Sequence, residues 1–355
     1  MQAIEKQKSV VNSLFEIIVG THTTNFWLQK VNPLWSVYQA LGKILEKKQT
    51  AAETVSLTIQ VNHRFRMGQA GQHHPVMVEV DGRRYERTYS LTQLDANRVL
   101  LTVKKVDKGV VSQWLADTAQ VGDVLEFGQP YGDMLIPKTV QPLVLLAAGS
   151  GITPMYSLIQ SLAEKGQFSQ QSVHLLYWVK KQEDAVFKIQ FEKIVERHPN
   201  FKFDIFYTQE SSADARLNDQ YLDQIQALEK STVYVCGPSG FVATAEQLFK
   251  NAQQFKSEAF SLTPIISDET GFINVTLTQS NKVVAIAKGQ SILAGLEQHN
   301  IKPQYGCRMG ICNKCACNKA QGSTKNLVNG QENMEPNNLL RICVNSAQTD
   351  LVIDI

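Results

Sequence analysis

Gly306-Cys307-Arg308-Met309-Gly310-Ile311-Cys312-Asn313-Lys314-Cys315-Ala316-Cys317 is the stretch on which the reading of this chain turns. Cys307, Cys312 and Cys315 stand in the spacing C-x4-C-x2-C, and Cys343 follows well downstream. Four thiolates in that pattern suit a [2Fe-2S] cluster. A loop that gathers three ligands within nine residues must turn backbone N–H groups towards the sulfurs. Gly306, Gly310, Asn313 and Ala316 are small or polar neighbours that suit such a loop. The alternatives are a zinc site and buried free thiols. Zinc loops usually present paired C-x2-C units, and only one such unit occurs here. Cys317 stands too close to Cys315 to fill a ligand position. It is expected to pack the loop or to be a reactive bystander, with Cys343 as the fourth ligand.

Working outward, the totals set bounds. A chain of 355 residues suggests about two to three domains. Hydrophobic residues make up 43%, enough for ordinary packed cores. A formal net charge of +2, without a dense Lys/Arg run, gives no reason to invoke nucleic acid. Six cysteines, four of them in a cluster pattern, point to a reducing compartment. Residues 1–20 do not read as a signal peptide, because Glu16 cuts the apolar stretch and no small-residue cleavage site follows. The apolar run at 143–148 is far too short to span a bilayer. The expected location is the cytoplasm, with association with the inner face of a membrane as a further expectation.

Before the cysteine loop the hydrophobic period changes several times. Val10, Val11, Leu14, Phe15, Ile17 and Ile18 recur at helical spacing, as do Val31, Leu34, Trp35, Tyr38, Leu41, Ile44 and Leu45. Residues 1–50 are therefore expected to form two amphipathic helices, packed on the body of the protein or docking on a membrane or a membrane-bound partner. From Thr54 the period is two: Val55, Leu57, Ile59 and Val61 alternate with polar residues. Segments 76–80 and 98–103 alternate likewise, with Asp81-Gly82 as a turn, and 121–127 follows a helix containing Trp114. An antiparallel barrel to about Pro137 is expected. From Leu143, strands at 143–147, 173–179, 201–207 and 232–235 alternate with helices that include 186–197, 219–228 and 239–251, which argues a parallel sheet covered on both faces. Residues 257–270 look like a linker. Strands at 272–278 and 283–287, a helix over 291–299 capped by Ser291 and a last strand at 351–355 frame the cysteine loop.

Arg87-Thr88-Tyr89-Ser90 follows a strand, and Gly109-Val110-Val111-Ser112 precedes a helix. Backbone N–H groups at a helix start cradle phosphate, and Arg offers a bidentate partner. Gly149-Ser150-Gly151-Ile152-Thr153-Pro154 leaves the first strand of the parallel region and opens a helix. Pro154 stands where a dinucleotide fingerprint would have its third Gly. Cys236-Gly237-Pro238 leaves a later strand at its carboxyl end, where ligands of open parallel sheets sit.

These four motifs, in this order and spacing, resemble the ferredoxin–NADP reductase superfamily, and residues 290–355 resemble plant-type ferredoxins. The two together look like the single-chain reductases of bacterial oxygenases and desaturases. The resemblance implies a multidomain α+β and α/β protein. Its parts would be a helical extension at 1–50, an antiparallel flavin-binding β-barrel at 51–138 and a parallel α/β NAD(P)-binding domain at 139–257. A linker at 258–270 and a β-grasp ferredoxin domain at 271–355 would follow. It implies that Arg87 binds the flavin phosphates, that Tyr89 lies against the isoalloxazine and that Ser90 hydrogen-bonds near its N5. Gly109, Val111 and Ser112 would hold the pyrophosphate of FAD. Gly149, Gly151, Thr153 and Gly237 would hold the nicotinamide nucleotide, with Cys236 beside the nicotinamide. Glu258 and Phe260 resemble a terminal Glu and aromatic near the flavin. A neighbouring subfamily, like phthalate dioxygenase reductase, uses FMN with a different Gly-Gly-Ser stretch. Residues 106–112 look like the FAD type.

Where the plant enzymes carry a Ser-Arg pair for the 2′-phosphate of NADP, this chain has Thr208-Gln209. Lys180-Lys181 can replace that contact, while Glu183 and Asp184 equally suit the free ribose of NADH. The implied function is an NADPH- or NADH-dependent oxidoreductase that passes electrons through FAD and a [2Fe-2S] cluster to an oxygen-activating partner. That partner would be a membrane-bound fatty-acid desaturase or alkane hydroxylase. The alternatives are the reductase of a soluble Rieske-type oxygenase and a redox sensor.

Overall fold

The computed structural model describes residues 21–107, 109–210, 215–261, 271–310, 312–328 and 330–355. The helical spacing noted between Val10 and Ile18 lies outside these residues.

Alternation at period two closes a six-stranded antiparallel barrel. Its strands are β1 (Ala40–Ala51), β2 (Thr54–Val61), β3 (His73–Val80), β4 (Arg83–Gln93), β5 (Arg98–Lys104) and β6 (Val124–Phe127), in the order β1-β2-β5-β4-β3-β6. Asp81 and Gly82 adopt left-handed backbone (φ 51° and 69°) and form the two-residue turn that sets the β3–β4 register. Counting outward from that turn pairs Val80 with Arg83 and His73 with Ser90. A short helix, α2 (Val110–Gln113), follows β5 and carries the second glycine motif. Ile44, Leu57, Val76, Leu101 and Leu115 fill the barrel interior.

The parallel sheet has the order β11-β10-β7-β8-β9. Its strands are β7 (Leu143–Ala148), β8 (Val173–Val179), β9 (Phe201–Tyr207), β10 (Thr232–Pro238) and β11 (Gln254–Ser261). The helices α3 (Ile152–Glu164), α4 (Lys188–Arg197) and α5 (Ser239–Leu248) cover it. All six residues of β7 are buried, as a central strand covered on both faces requires. The chain runs outward from β7 to β9 and then returns to β10 on the other side of β7. The strand order therefore reverses between β7 and β10, and a ligand crevice opens at their carboxyl ends.

The last domain is a mixed β-grasp sheet of β12 (Phe272–Leu277), β13 (Lys282–Ala287), β14 (Ala316–Gln321), β15 (Asn338–Arg341) and β16 (Leu351–Ile353), in the order β13-β12-β16-β14-β15. Helix α6 (Ile292–Gln298) packs on it, with Ser291 Oγ accepting the Ala294 N–H at 3.2 Å as the expected cap.

Three expectations are corrected. Residues 40–51 are a barrel strand, not the end of a helix. Helix α1 (Thr21–Val31) stops well before them. Leu41 and Ile44 are both buried three residues apart because β1 is covered on both faces: Ile44 belongs to the barrel core, while Leu41 lies on the other face beside Phe26 and Pro33, and burial on both faces imitates helical spacing. The barrel thus starts at about Ala40, not at 51. The linker expected over 257–270 begins too early, since Ser257 to Ser261 belong to β11, the edge strand paired with β10. Residues 219–228 form only a short 3-10 turn at Asp219–Gln224.

Segment 21–39 is tied to the barrel through side chains. Asn25 Oδ1 accepts the Val37 N–H at 2.8 Å, and Gln39 Nε2 donates to Glu126 Oε2 at 2.9 Å. It leaves Phe26, Trp27, Val31, Trp35 and Tyr38 largely exposed.

Candidate functional site

The two carboxyl-end loops of the sheet meet closely. A Cβ on Gly151 would fall 2.0 Å from the Cys236 carbonyl oxygen, so only glycine lets β7 and β10 present one crevice. Gly149 takes left-handed backbone (φ 55°), which frees the turn into α3. The crevice is a cavity of about 590 Å³ lined by Gly149, Trp178, Lys180, Thr208, Arg216, Pro238, Phe241 and Phe260. A Cβ on Gly237 would press on Ala148 and Phe241, at 2.9 and 3.0 Å. Cys236 is fully buried beside Gly151 and lines neither this cavity nor the next. Burial pushes its thiol well up.

A second cavity of about 320 Å³ adjoins the first, sharing Lys104, Val106, Ser150 and Phe260. Arg87, Tyr89 and Ser90 of β4 line one wall, Gly109, Val111 and Ser112 at the start of α2 another, and Thr153 of α3 a third. The α2 entry is drawn tight. Ser112 Oγ donates to the Gly109 carbonyl at 3.1 Å and accepts the Val106 N–H at 3.2 Å. Burial raises the Tyr89 hydroxyl above its usual range.

Behind Ser90 lies a group that sequence reasoning missed. His73 Nδ1 is 3.1 Å from Ser90 Oγ, and His73 Nε2 is 2.7 Å from Glu258 Oε2, a close approach off the ideal hydrogen-bond line. All three residues are buried. The signal was available, because the Asp81-Gly82 turn dictates that His73 faces Ser90. Glu258 reaches the pair because β11 continues through it.

The fourth wall of this cavity is the cysteine loop itself, where Cys307, Arg308 and Met309 line it. The four expected ligands come together as two pairs. Cys307 and Cys312 share a hydrogen bond, as do Cys315 and Cys343. In each pair the thiol-to-thiol bond lowers one partner, Cys312 and Cys315, and raises the other, Cys307 and Cys343. Backbone N–H groups already point at sulfur: Cys307 N to Cys312 Sγ at 3.2 Å, Met309 N to Cys307 Sγ at 3.3 Å and Cys312 N to Cys307 Sγ at 3.4 Å. Two thiol pairs fit a centre with two metal atoms, so the donor set suits [2Fe-2S]. Cys317 lies on β14 within the hydrophobic core of this domain, where burial pushes its thiol up to about 12.

Comparison with known proteins agrees with each of these regions. Residues 42–136 match the oxidoreductase FAD-binding domain family, residues 145–247 the oxidoreductase NAD-binding domain family and residues 275–346 the 2Fe-2S iron-sulfur cluster binding domain family. The NADPH oxidoreductase of Mycobacterium tuberculosis is 29% identical over 340 residues, covering 93% of this chain and 88% of that one. The glycine betaine monooxygenase reductase subunit of Chromohalobacter salexigens is 23% identical over 320 residues, covering 80% and 86%. The solved structure of phthalate dioxygenase reductase superposes with a TM-score of 0.65 at 24% identity, over 89% of this chain and 98% of that one, and shows the same fold. The chain is an oxidoreductase that joins an FAD-binding domain, an NAD-binding domain and a C-terminal 2Fe-2S iron-sulfur cluster binding domain, in the fold of phthalate dioxygenase reductase. It is an electron-transfer reductase that takes electrons from NAD(P)H and uses FAD and a [2Fe-2S] cluster as carriers.

Proposed function

We propose that this chain is an NADPH-preferring reductase serving an oxygen-activating enzyme, with a membrane-bound fatty-acid desaturase or alkane hydroxylase as the partner. The observation that carries the reading is one cavity with three kinds of wall. Residues of the barrel, of the first sheet loop and of the cluster loop all line it, so donor, flavin and cluster converge. FAD bound there supplies the conversion of a two-electron hydride into single electrons that a [2Fe-2S] centre can accept.

The side chains have separable tasks in this reading. Arg87 holds flavin phosphate, with Gly109, Val111 and Ser112 presenting backbone N–H groups to the pyrophosphate. Tyr89 lies against the flavin ring, and Phe260 covers it from the nucleotide side. Gly149, Gly151 and Gly237 let the nucleotide approach the backbone, while Thr153 closes the border between the cavities. Cys236 lies beneath the nicotinamide position and must be uncovered to touch it. A hydride delivers two electrons and one proton, and once the electrons leave, the proton must leave too. Ser90 Oγ can hand it to His73 Nδ1, and His73 Nε2 faces Glu258.

NADPH preference rests on charge. Lys180 and Arg216 line the nucleotide cavity, and neither has an acidic partner among the described residues. Asp184, the acidic side chain on that lining, sits 3.8 Å from Lys104, and Glu183 turns to Lys181 at 3.6 Å. Free cations suit a 2′-phosphate. The relative from Mycobacterium tuberculosis carries NADPH in its name. Steady-state kinetics decide: kcat/KM should favour NADPH at least tenfold, and equal values would remove the preference.

The membrane-bound partner is supported by Phe26, Trp27, Val31, Trp35 and Tyr38, an exposed aromatic and apolar set beside Lys30. Among the described residues no helix is long and apolar enough to cross a membrane. Removing residues 1–38, which stops short of β1, should spare ferricyanide reduction and weaken turnover with the partner in vesicles. Unchanged turnover would remove the support for a membrane-bound partner and favour a soluble oxygenase.

A further inference from the structure

Glu86 stands one residue before Arg87 on β4 and accepts a hydrogen bond from Lys314 Nζ, which lies between Cys312 and Cys315 in the cluster loop. Among the described residues this is the one ion pair joining residues 40–261 to residues 271–355. It is keyed by shape: a Cβ on Gly306 would stand 2.9 Å from Glu86 Oε1 and 2.9 Å from Cys312 Sγ. The loop therefore approaches the barrel at a separation that a larger residue would prevent. A ring contact lies alongside. The Arg308 guanidinium sits 4.1 Å from the Tyr305 ring centre, and Arg87 of the barrel reaches the same ring at 5.8 Å.

The carboxylate of Glu86 is 13% exposed, and its Oε1 has no hydrogen-bond partner. A carboxylate so enclosed is costly unless a cation answers it. The barrel offers none, since Arg84 turns to Glu126 and Arg87 donates to the Glu86 carbonyl instead. Lys314 supplies the charge, and does so only when the cluster loop faces the flavin cavity.

We propose that Glu86 and Lys314 are positioning residues for internal electron transfer, a charge pair that seats the cluster loop against the open wall of the flavin cavity. The proposal rests on the reductase reading above. Lys314 remains 48% exposed, so the seat is a modest interaction that orients the two parts.

The test compares two acceptors. Ferricyanide takes electrons from flavin directly, whereas cytochrome c draws on the cluster. Lys314→Glu places like charge opposite Glu86 and should slow cytochrome c reduction about fivefold, with ferricyanide reduction unchanged. The exchange Glu86→Lys with Lys314→Glu should regain most of the loss. Carbodiimide treatment of the cluster-loaded protein should join Glu86 to Lys314 as an amide found by peptide mass spectrometry, a readout independent of electron flow. If Lys314→Glu fails to load its cluster, Glu86→Gln on the barrel carries the same comparison and should lower the ratio of the two rates. An unchanged ratio in the single variants, a double variant no better than the singles, or no Glu86–Lys314 coupling in the wild type would overturn the seat. Loss of ferricyanide reduction in the wild type would sink the reductase reading instead, and the coupling result would still judge the seat.

Discussion

In the nucleotide-binding sheet every residue of β7 is buried, and the loops at its carboxyl end rest directly on packed backbone. In the [2Fe-2S] domain the functional loop rests on short strands, such as Thr324–Asn326 and Asn345–Ala347, and on left-handed turns at Arg308, Gly310 and Asn313. Its backbone N–H groups are satisfied in part by cysteine sulfur. The first site is held by the protein's own core. The second is held in good part by the atoms that bind its metal, and metal binding then contributes folding energy. The same contrast separates what mutation should do in each half.

The largest effect is expected in the half that depends on metal. Cys343→Ser removes one member of the Cys315–Cys343 pair and should abolish the visible cluster spectrum, while Cys317→Ser should leave it intact. The reverse pattern would reassign the fourth ligand. In the core-held half, Gly151→Ala drives a methyl group to 2.0 Å from the Cys236 carbonyl. Displacing β7 from β10 should cost several kcal/mol and weaken NADP+ binding, with little change in the cluster spectrum. A normal melting temperature for this variant would show that the sheet yields more readily than its burial suggests.

A smaller effect, confined to the barrel, follows from His74. Burial, its main perturbation, lowers its pKa from 6.5 to about 4, and Nε2 accepts the Gly68 N–H at 3.1 Å. Between those values the unfolded chain binds a proton that the folded barrel refuses. Stability is therefore lost as pH falls from about 6.5 to 4, by about 3 kcal/mol in all. Chemical denaturation at pH 7 and pH 4.5 should show that loss, and His74→Gln should remove most of its pH dependence. An equal pH dependence in the variant would assign the acid sensitivity to other groups.

The legible parts of the chain were those whose signal is local. The cysteine spacing pointed to the [2Fe-2S] domain, and the run of strands and helices after Leu143 pointed to the parallel sheet, because a doubly covered strand is continuously apolar. Glycine motifs at strand ends located both cavities. The signals that failed were those that tertiary structure overrides or supplies. Burial on both faces of β1 mimicked a helix. Lys256, Ser257 and Glu258 made the edge strand β11 look like a linker, although an edge strand keeps one side open to polar residues. His73 was within reach of turn counting, but Glu258 joins it only once β11 is in place. Glu86 and Lys314 are 228 residues apart, and no local pattern connects them.

The central claim is that electrons enter through flavin and leave through the cluster. The barrel and sheet have their own cores, and the core of the [2Fe-2S] domain is separate from them. Since β11 ends at Ser261, a fragment of residues 1–267 keeps the barrel and sheet whole. It should bind FAD, identified by mass spectrometry after heat release, and reduce ferricyanide with NADPH at the full-length rate. It should lose most cytochrome c reduction. A fragment that reduced cytochrome c as fast as the whole chain would show that the cluster is not the exit for electrons, and would contradict the account.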